Sequence, residues 1–186
     1  MTSKLCNDYQ AYHQTIHYFN KSLHNLRLHY LHLFLIHSPS QNHQFYIQSY
    51  KPLQHLYQQP KIKPIPLSNF NIHHLQNLIK QTKITPHLNQ IHLHPYFNQQ
   101  HLQHFSDQHH IKLTPSIPLI PNKPFLHHPL ITHIPHPYHK TPPQILLPSH
   151  LPHNPIIIPK SQTPKPIKQN FHIFHFNLEL TDVAEI

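Results

Sequence analysis

Glycine is absent from all 186 residues of this chain. Glycine enters left-handed backbone at no steric cost, closes helices and lets a main chain approach a phosphate closely. Without it, every helix end and tight turn must be closed by a residue that carries a Cβ or a ring. Glycine-rich phosphate loops of the dinucleotide or P-loop type are excluded outright. The single cysteine, Cys6, excludes a disulfide scaffold and a CxxC zinc site. No apolar run approaches the ~18 residues of a membrane span, and the start MTSKLCND has no signal-peptide core. The expectation is a soluble, cytoplasmic chain with no membrane partner.

The other departures from ordinary composition share a genetic property. Gly, Ala, Val, Asp and Glu have codons that begin with G, and between Tyr12 and Leu178 only Asp107 belongs to that set. No physical rule avoids these five residues together, whereas a coding strand nearly empty of G explains them all. The formal charge of +9, from 14 Lys and Arg against 5 acids, then reflects missing acids. Basic residues are scattered and Arg27 is the sole arginine, so nucleic acid is not an expected partner.

Hydrophobic periodicity survives this bias. Ile16, Phe19, Leu23 and Leu26 repeat at helical spacing. HYLHLFLIH, residues 29–37, is an apolar run suited to a buried strand. Residues 45–59 read as a helix with Leu53, Leu56 and Tyr57 on one side. KIKPIPLSNF reads as a strand entering a loop, NIHHLQNLIKQ as a helix, LNQIHLHPY as a strand, residues 98–109 as a helix and IKLTPSIPL as a strand. Residues 142–153 predict a helix, PIIIPKS a strand and TPKPIKQNF a last helix. Alternation at this spacing predicts βα units, a parallel sheet and a single domain over 1–186. Several prolines stand where they should do harm. Pro64 and Pro66 fall in a strand expected to be central, and Pro148 and Pro152 in a helix.

These motifs carry a resemblance. KIKPIPLSNF followed by LNQIHLHPY resembles the aldo-keto reductases, where the stretch reads K-I-R-A-I-G-V-S-N-F and then V-N-Q-I-E-L-H-P-Y. HYLHLFLIHSP is similar to that family's D-Y-L-D-L-Y-L-I-H-W-P, and IIIPKSQTPKPIKQNFHIFHFNL to its segment V-I-P-K-S-x-T-P-x-R-I-x-E-N-x-x-x-F-D-F-x-L. The bacterial diketogluconate-reductase-like and glyoxal-reductase-like branch is the nearest in pattern. The mismatches follow one rule, reading C for G within a codon. His29, His32, His172 and His175 stand for aspartate, His92 and Gln169 for glutamate, and Pro60 and Pro66 for glycine. Pro64 and Pro115 stand for alanine, Pro148 and Pro166 for arginine, and Cys6, Ser38, Ser116 and Ser149 for tryptophan.

The resemblance implies an α/β fold, a partial (β/α)8 TIM barrel running from the end of barrel strand 3 to the last helix, since a full barrel needs ~250 residues. Met1 stands at an internal isoleucine of the pattern, and the first two βα units and most of the third strand are expected before it. The implied chemistry is hydride transfer from NADPH to an aldehyde or ketone in a monomeric enzyme. Lys4 and His37 match the catalytic lysine and histidine, while the tyrosine acid and its aspartate partner are expected upstream. Ser68, Asn69 and Gln90 match residues that hold the nicotinamide carboxamide, Ser116 the position of the stacking aromatic, and Leu119 a further cofactor contact. Lys160 and Ser161 match residues on the adenosine 2′-phosphate, and Asn170 an adenine contact; no metal ligand is expected. The 186-residue chain by itself is expected to be inactive. Two rival readings are a His- and Pro-rich, largely unfolded polypeptide with adventitious metal affinity, and a basic binding module. The mismatch rule predicts a reading frame whose G positions have been replaced. Determining the nucleotide sequence checks this, and a frame verified as G-free removes sequencing error as the source.

Overall fold

The computed structural model describes residues 1–93, 97, 99–116 and 163–172, with the scattered positions 132, 138–141, 144, 145, 158, 175, 176, 178, 179, 181 and 182. The chain divides into two compact units, Met1–Ile91 with Gln99–Leu113, and His92–Asn98 with Thr114–Ile186. The first unit alternates short strands with longer helices: β1 (Thr2–Leu5), α1 (Tyr12–Leu26), β2 (Leu33–Ile36), α2 (His43–Gln58), β3 (Pro66–Ser68), α3 (Ile72–Gln81), β4 (Leu88–Ile91) and α4 (Gln100–Gln108). Strand β5 (Lys112–Pro115) begins at the end of this unit. The sheet order is β1-β2-β3-β4-β5, the same as the chain order. The pairings β1–β2, β2–β3 and β3–β4 are parallel. In the second unit, α5 (Pro164–Phe171) begins with proline at its first turn, where the missing N–H costs nothing.

One face of the sheet is covered by helices. Ser3 and Phe34 are register partners, and both meet α1. Ser3 Oγ lies 3.1 Å from Ser22 Oγ, and Phe34 packs edge-on against Phe19 with ring centroids 5.4 Å apart. Helix α2 buries Tyr46, Ile47, Tyr50, Leu53 and Leu56. Its two buried tyrosines are tied by their hydroxyls: Tyr46 accepts from Asn77 Nδ2 of α3 at 2.7 Å, and Tyr50 donates to the Ile84 carbonyl at 3.0 Å. Helix α3 buries Leu75 and Leu78 and opens with a capping box. In it Asn71 Oδ1 accepts from His74 N, while His74 Nδ1 accepts from Asn71 N.

The expected elements are present among the described residues with shifted bounds. The run 29–37 yields only β2, because Leu31 makes an isolated bridge to Ile62 before the strand begins. Helix α2 starts two residues earlier than expected, where Asn42 Oδ1 caps Gln44 N at 3.0 Å. It also contains Pro52 in its interior, which forfeits one backbone bond. The expected damage at Pro64 and Pro66 is corrected. Pro64 precedes the strand, and Pro66 is the first residue of β3, where a central strand tolerates proline. Ile65, just before it, accepts from His87 N at 3.0 Å and donates to His87 Nδ1 at 3.1 Å, so an imidazole helps to open the ladder. Most of 142–153, with Pro148 and Pro152, and most of PIIIPKS lie outside the described residues.

Three helices close in the same way without glycine. After α1, α2 and α4 the chain turns through left-handed Arg27 (φ 53°), Pro60 (φ 27°) and His110 (φ 56°). Each closure is locked by an N–H reaching back five residues: Leu28 to Leu23 at 3.0 Å, Lys61 to Leu56 at 2.9 Å and Ile111 to Ser106 at 2.8 Å. This is the Schellman arrangement, whose left-handed position favours glycine. Proline is the worst occupant, since its ring prefers φ near −65° and it has no N–H for the second bond.

Two outcomes follow. Pro60→Gly should stabilise the chain by about 1–3 kcal/mol, raising the melting temperature by roughly 2–4 °C per kcal/mol for a chain of this size. Arg27→Gly and His110→Gly should gain less, about 0.5–1 kcal/mol each; thermal melts of the three variants give the order. His87, whose pKa burial lowers from the ordinary 6.5, must stay neutral to accept from Ile65. The unfolded chain therefore binds the extra proton more readily, so stability is full above pH 6.5 and falls as the pH drops through the lowered folded value. Urea midpoints between pH 7.5 and 5 should fall less steeply in His87→Gln than in the unsubstituted chain.

Candidate functional site

Register and alternation decide where the polar side chains point. Successive strand residues face opposite sides of a sheet. Lys4 pairs with Leu35, one step from the Ser3–Phe34 pair that meets α1, so Lys4 lies on the face away from that helix. His37 continues the alternation beyond Leu35, and its N–H extends the ladder to the Leu5 carbonyl at 3.1 Å. Ile36 pairs with Leu67, and Leu67 with Asn89, which sets Ser68 and its partner Gln90 on the Lys4 face. Lys4, His37, Ser68 and Gln90 thus share one face at the carboxyl ends of four adjacent parallel strands. In open and closed parallel α/β sheets that is the end where ligands bind.

Hydrogen bonds link these strand ends in a continuous line. From His37 the line runs on to Asn69, whose Nδ2 donates to the His37 carbonyl at 3.1 Å. Asn69 N in turn donates to the Gln90 carbonyl at 2.8 Å. Asn69 holds a left-handed conformation, φ 62°, which asparagine tolerates better than most residues. Its amide therefore turns back across the sheet end instead of continuing β3. Ser68 and Gln90 are buried, while Lys4, His37 and Asn69 are exposed. Ser68 Oγ has no hydrogen-bond partner among the described residues, a state that costs about 1–3 kcal/mol unless a bound group meets it. Although Lys4 keeps solvent contact, partial desolvation lowers its ammonium pKa from the ordinary lysine value.

A second layer of contacts was not legible in the sequence. Gln10, almost fully buried, donates to the Ser38 carbonyl and to Asn7 Oδ1, and its Oε1 accepts from Ser40 N at 3.2 Å. Asn7 Nδ2 donates to Ser38 Oγ at 2.5 Å. The loop after β1 is thereby clasped to the segment that follows His37. The only cue was the polar spacing within NDYQ, which has no specific meaning by itself.

The remaining expected positions are not brought to this cluster by anything described. Ser116 is half-buried just past β5 and Asn170 half-buried within α5, both in the second unit. Leu119, Lys160 and Ser161 lie outside the described residues. No group of three or more His, Cys, Asp or Glu able to hold a metal ion occurs among the described residues, and no described helix is long and apolar enough to cross a membrane.

A parallel sheet in chain order, with helices on one face and polar residues gathered at its carboxyl edge on the other, defines a segment of an α/β barrel. Comparison with known proteins makes the family specific. The aldo/keto reductase family model matches residues 3–126. The chain is 36% identical over 186 residues to the glyoxal reductase of Bacillus subtilis, covering all of this chain and 66% of that protein. It is 38% identical over 187 residues to the methylglyoxal reductase DkgA of Yersinia pestis, covering 67% of it. Among solved structures, an aldo/keto reductase from Brucella melitensis superposes with a TM-score of 0.87 at 38% identity, over 99% of this chain and 70% of that one. A mutant of Gox0644 in complex with NADPH gives 0.87 at 35% identity, over 98% and 67%. The chain belongs to the aldo/keto reductase family, and it spans about two thirds of the length of these relatives.

Proposed function

We propose that this chain forms the nicotinamide-gripping and carbonyl-facing part of an NADPH-dependent reductase of small aldehydes and ketones, acting as a cytoplasmic monomer of one domain. The observation that carries the reading is the convergence of Lys4, His37, Ser68 and Gln90 on one face and one end of the sheet. The residues fit a carboxamide. Such a group needs an acceptor for its NH2 and a donor for its oxygen, and the Ser68 hydroxyl, without a partner among the described residues, can serve as either. Asn69 and Gln90 flank it with further amide groups. A bound NADPH supplies the hydride.

The placement of Lys4 and His37 supports their roles, and the family resemblance supplies those of the remaining residues. The Lys4 ammonium puts positive charge at the strand end, which lowers the pKa of a neighbouring phenol and favours its phenolate. His37 offers an imidazole donor one strand away, able to orient a carbonyl oxygen. Ser116 carries no ring, so the nicotinamide face lacks a stacking partner there. Lys160 and Ser161 would hold the 2′-phosphate and Asn170 the adenine, while Pro166 supplies no guanidinium. Lys160 favours NADPH over NADH only weakly. The proton donor implied by the family pattern precedes Lys4, so the 186-residue chain alone is read as binding cofactor without turnover.

Fluorescence titration with NADPH tests this. Saturable binding is expected, weakened by roughly 5- to 10-fold in Ser68→Ala, the equivalent of about 1–1.4 kcal/mol for one hydrogen bond. The melting temperature of that variant should not fall, because the hydroxyl has no partner to lose among the described residues. No NADPH oxidation is expected with methylglyoxal. Measurable turnover would overturn the inactive reading, and absence of saturable binding would overturn the cofactor reading.

A further inference from the structure

The chain contains 26 histidines, and a single pair of them stands four residues apart, His13 and His17. That pair falls within the regular helix α1. Residues at i and i+4 lie one above the other on a helix, with Cβ atoms ~5–6 Å apart, so two imidazoles there can close on one ion. Both side chains are exposed. Neither ring makes a hydrogen bond among the described residues, and each rests edge-on against an adjacent tyrosine: His13 against Tyr12 with centroids 5.3 Å apart, and His17 against Tyr18 at 5.1 Å. The other close histidines are engaged or differently spaced. His74 Nδ1 already accepts from Asn71 N. His104 Nε2 faces Gln108 Nε2 at 3.0 Å, and its neighbour His101 is only three residues away.

We propose that His13 and His17 form a two-point site for a late first-row divalent cation such as Zn2+, completed by water. Neutral imidazole nitrogens are the natural ligands for such ions, at about 2.0–2.1 Å for zinc. The gain to the protein is local. The N-cap of α1 is Ala11, whose side chain offers no capping bond, so no N-cap side chain meets the N–H groups of the first turn. An ion bridging His13 and His17 cross-links the first turn to the second and stabilises the helix that buries Thr15 and Phe19. The positive end of the helix dipole opposes the cation, which makes this a weak, open site and not a structural zinc centre.

Diethylpyrocarbonate labelling with and without Zn2+, read by mass spectrometry of the α1 peptide, tests the site on the unsubstituted chain. Carbethoxylation of His13 and His17 should slow by about tenfold when free Zn2+ is ten times the dissociation constant. His24, exposed on the same helix two turns further on, should keep its rate. In His17→Gln, with helix content confirmed by circular dichroism, His13 should return to its metal-free rate in the presence of Zn2+. Equal slowing of His24, absence of slowing at the pair, or continued protection of His13 in His17→Gln would each overturn the assignment.

Discussion

The parallel register of β1 to β4 is the constraint on which the site depends. Because the side-chain period of a strand is two, a slip of one residue at any pairing would turn one strand's contribution to the opposite face. Lys4 would then point at α1, or Ser68 and Gln90 would change places with Leu67 and Asn89. Burial on the helix-covered side resists such a slip, since Phe34, Ile36 and Leu67 are fully buried there. The apolar residues that fill the helix layer thus also hold the polar residues at the other face in line. Function at the strand ends is bound in this way to packing at the strand middles.

The same linkage explains why the line of bonds from Leu5 to Gln90 matters. Each strand end is tied to its neighbour through a backbone group of the next: Leu5 to His37, His37 to Asn69, Asn69 to Gln90. Side chains carried on elements fixed in this way need little further ordering to meet a ligand, which lowers the entropic cost of binding. The Asn7–Gln10–Ser38 clasp extends the support to the loops on either side of His37.

Much of this was legible in the residues. Leu53 and Leu56, and Leu75 and Leu78, keep helical spacing and lie in the core where the spacing puts them. Periodicity is legible in a composition without glycine and poor in acids because Leu, Ile and Phe still mark the apolar positions. Lys4, His37, Ser68 and Gln90 could be singled out only through motif resemblance. A lone lysine or serine carries no mark of its register, and their convergence exists only once strands far apart in sequence are paired. Pro66 misled because proline's penalty depends on its place in a strand, which spacing does not give. The clasp was hidden for a similar reason: Gln10 gains its meaning from Ser38 and Ser40, nearly thirty residues later.

The left-handed closures at Arg27, Pro60 and His110 have a consequence for how this fold ages under mutation. Each closure lies where a helix returns to the start of the next strand, the pole of a barrel that serves stability. The candidate site occupies the other pole, where Asn69, at φ 62°, and Gln99, at φ 51° before α4, also hold left-handed backbone. The absence of glycine therefore bears on both ends of the strands, most heavily at Pro60, whose ring opposes a positive φ. Because the helix-end closures and the candidate site use different residues, a glycine can be introduced at Pro60 without touching Lys4, His37, Ser68 or Gln90.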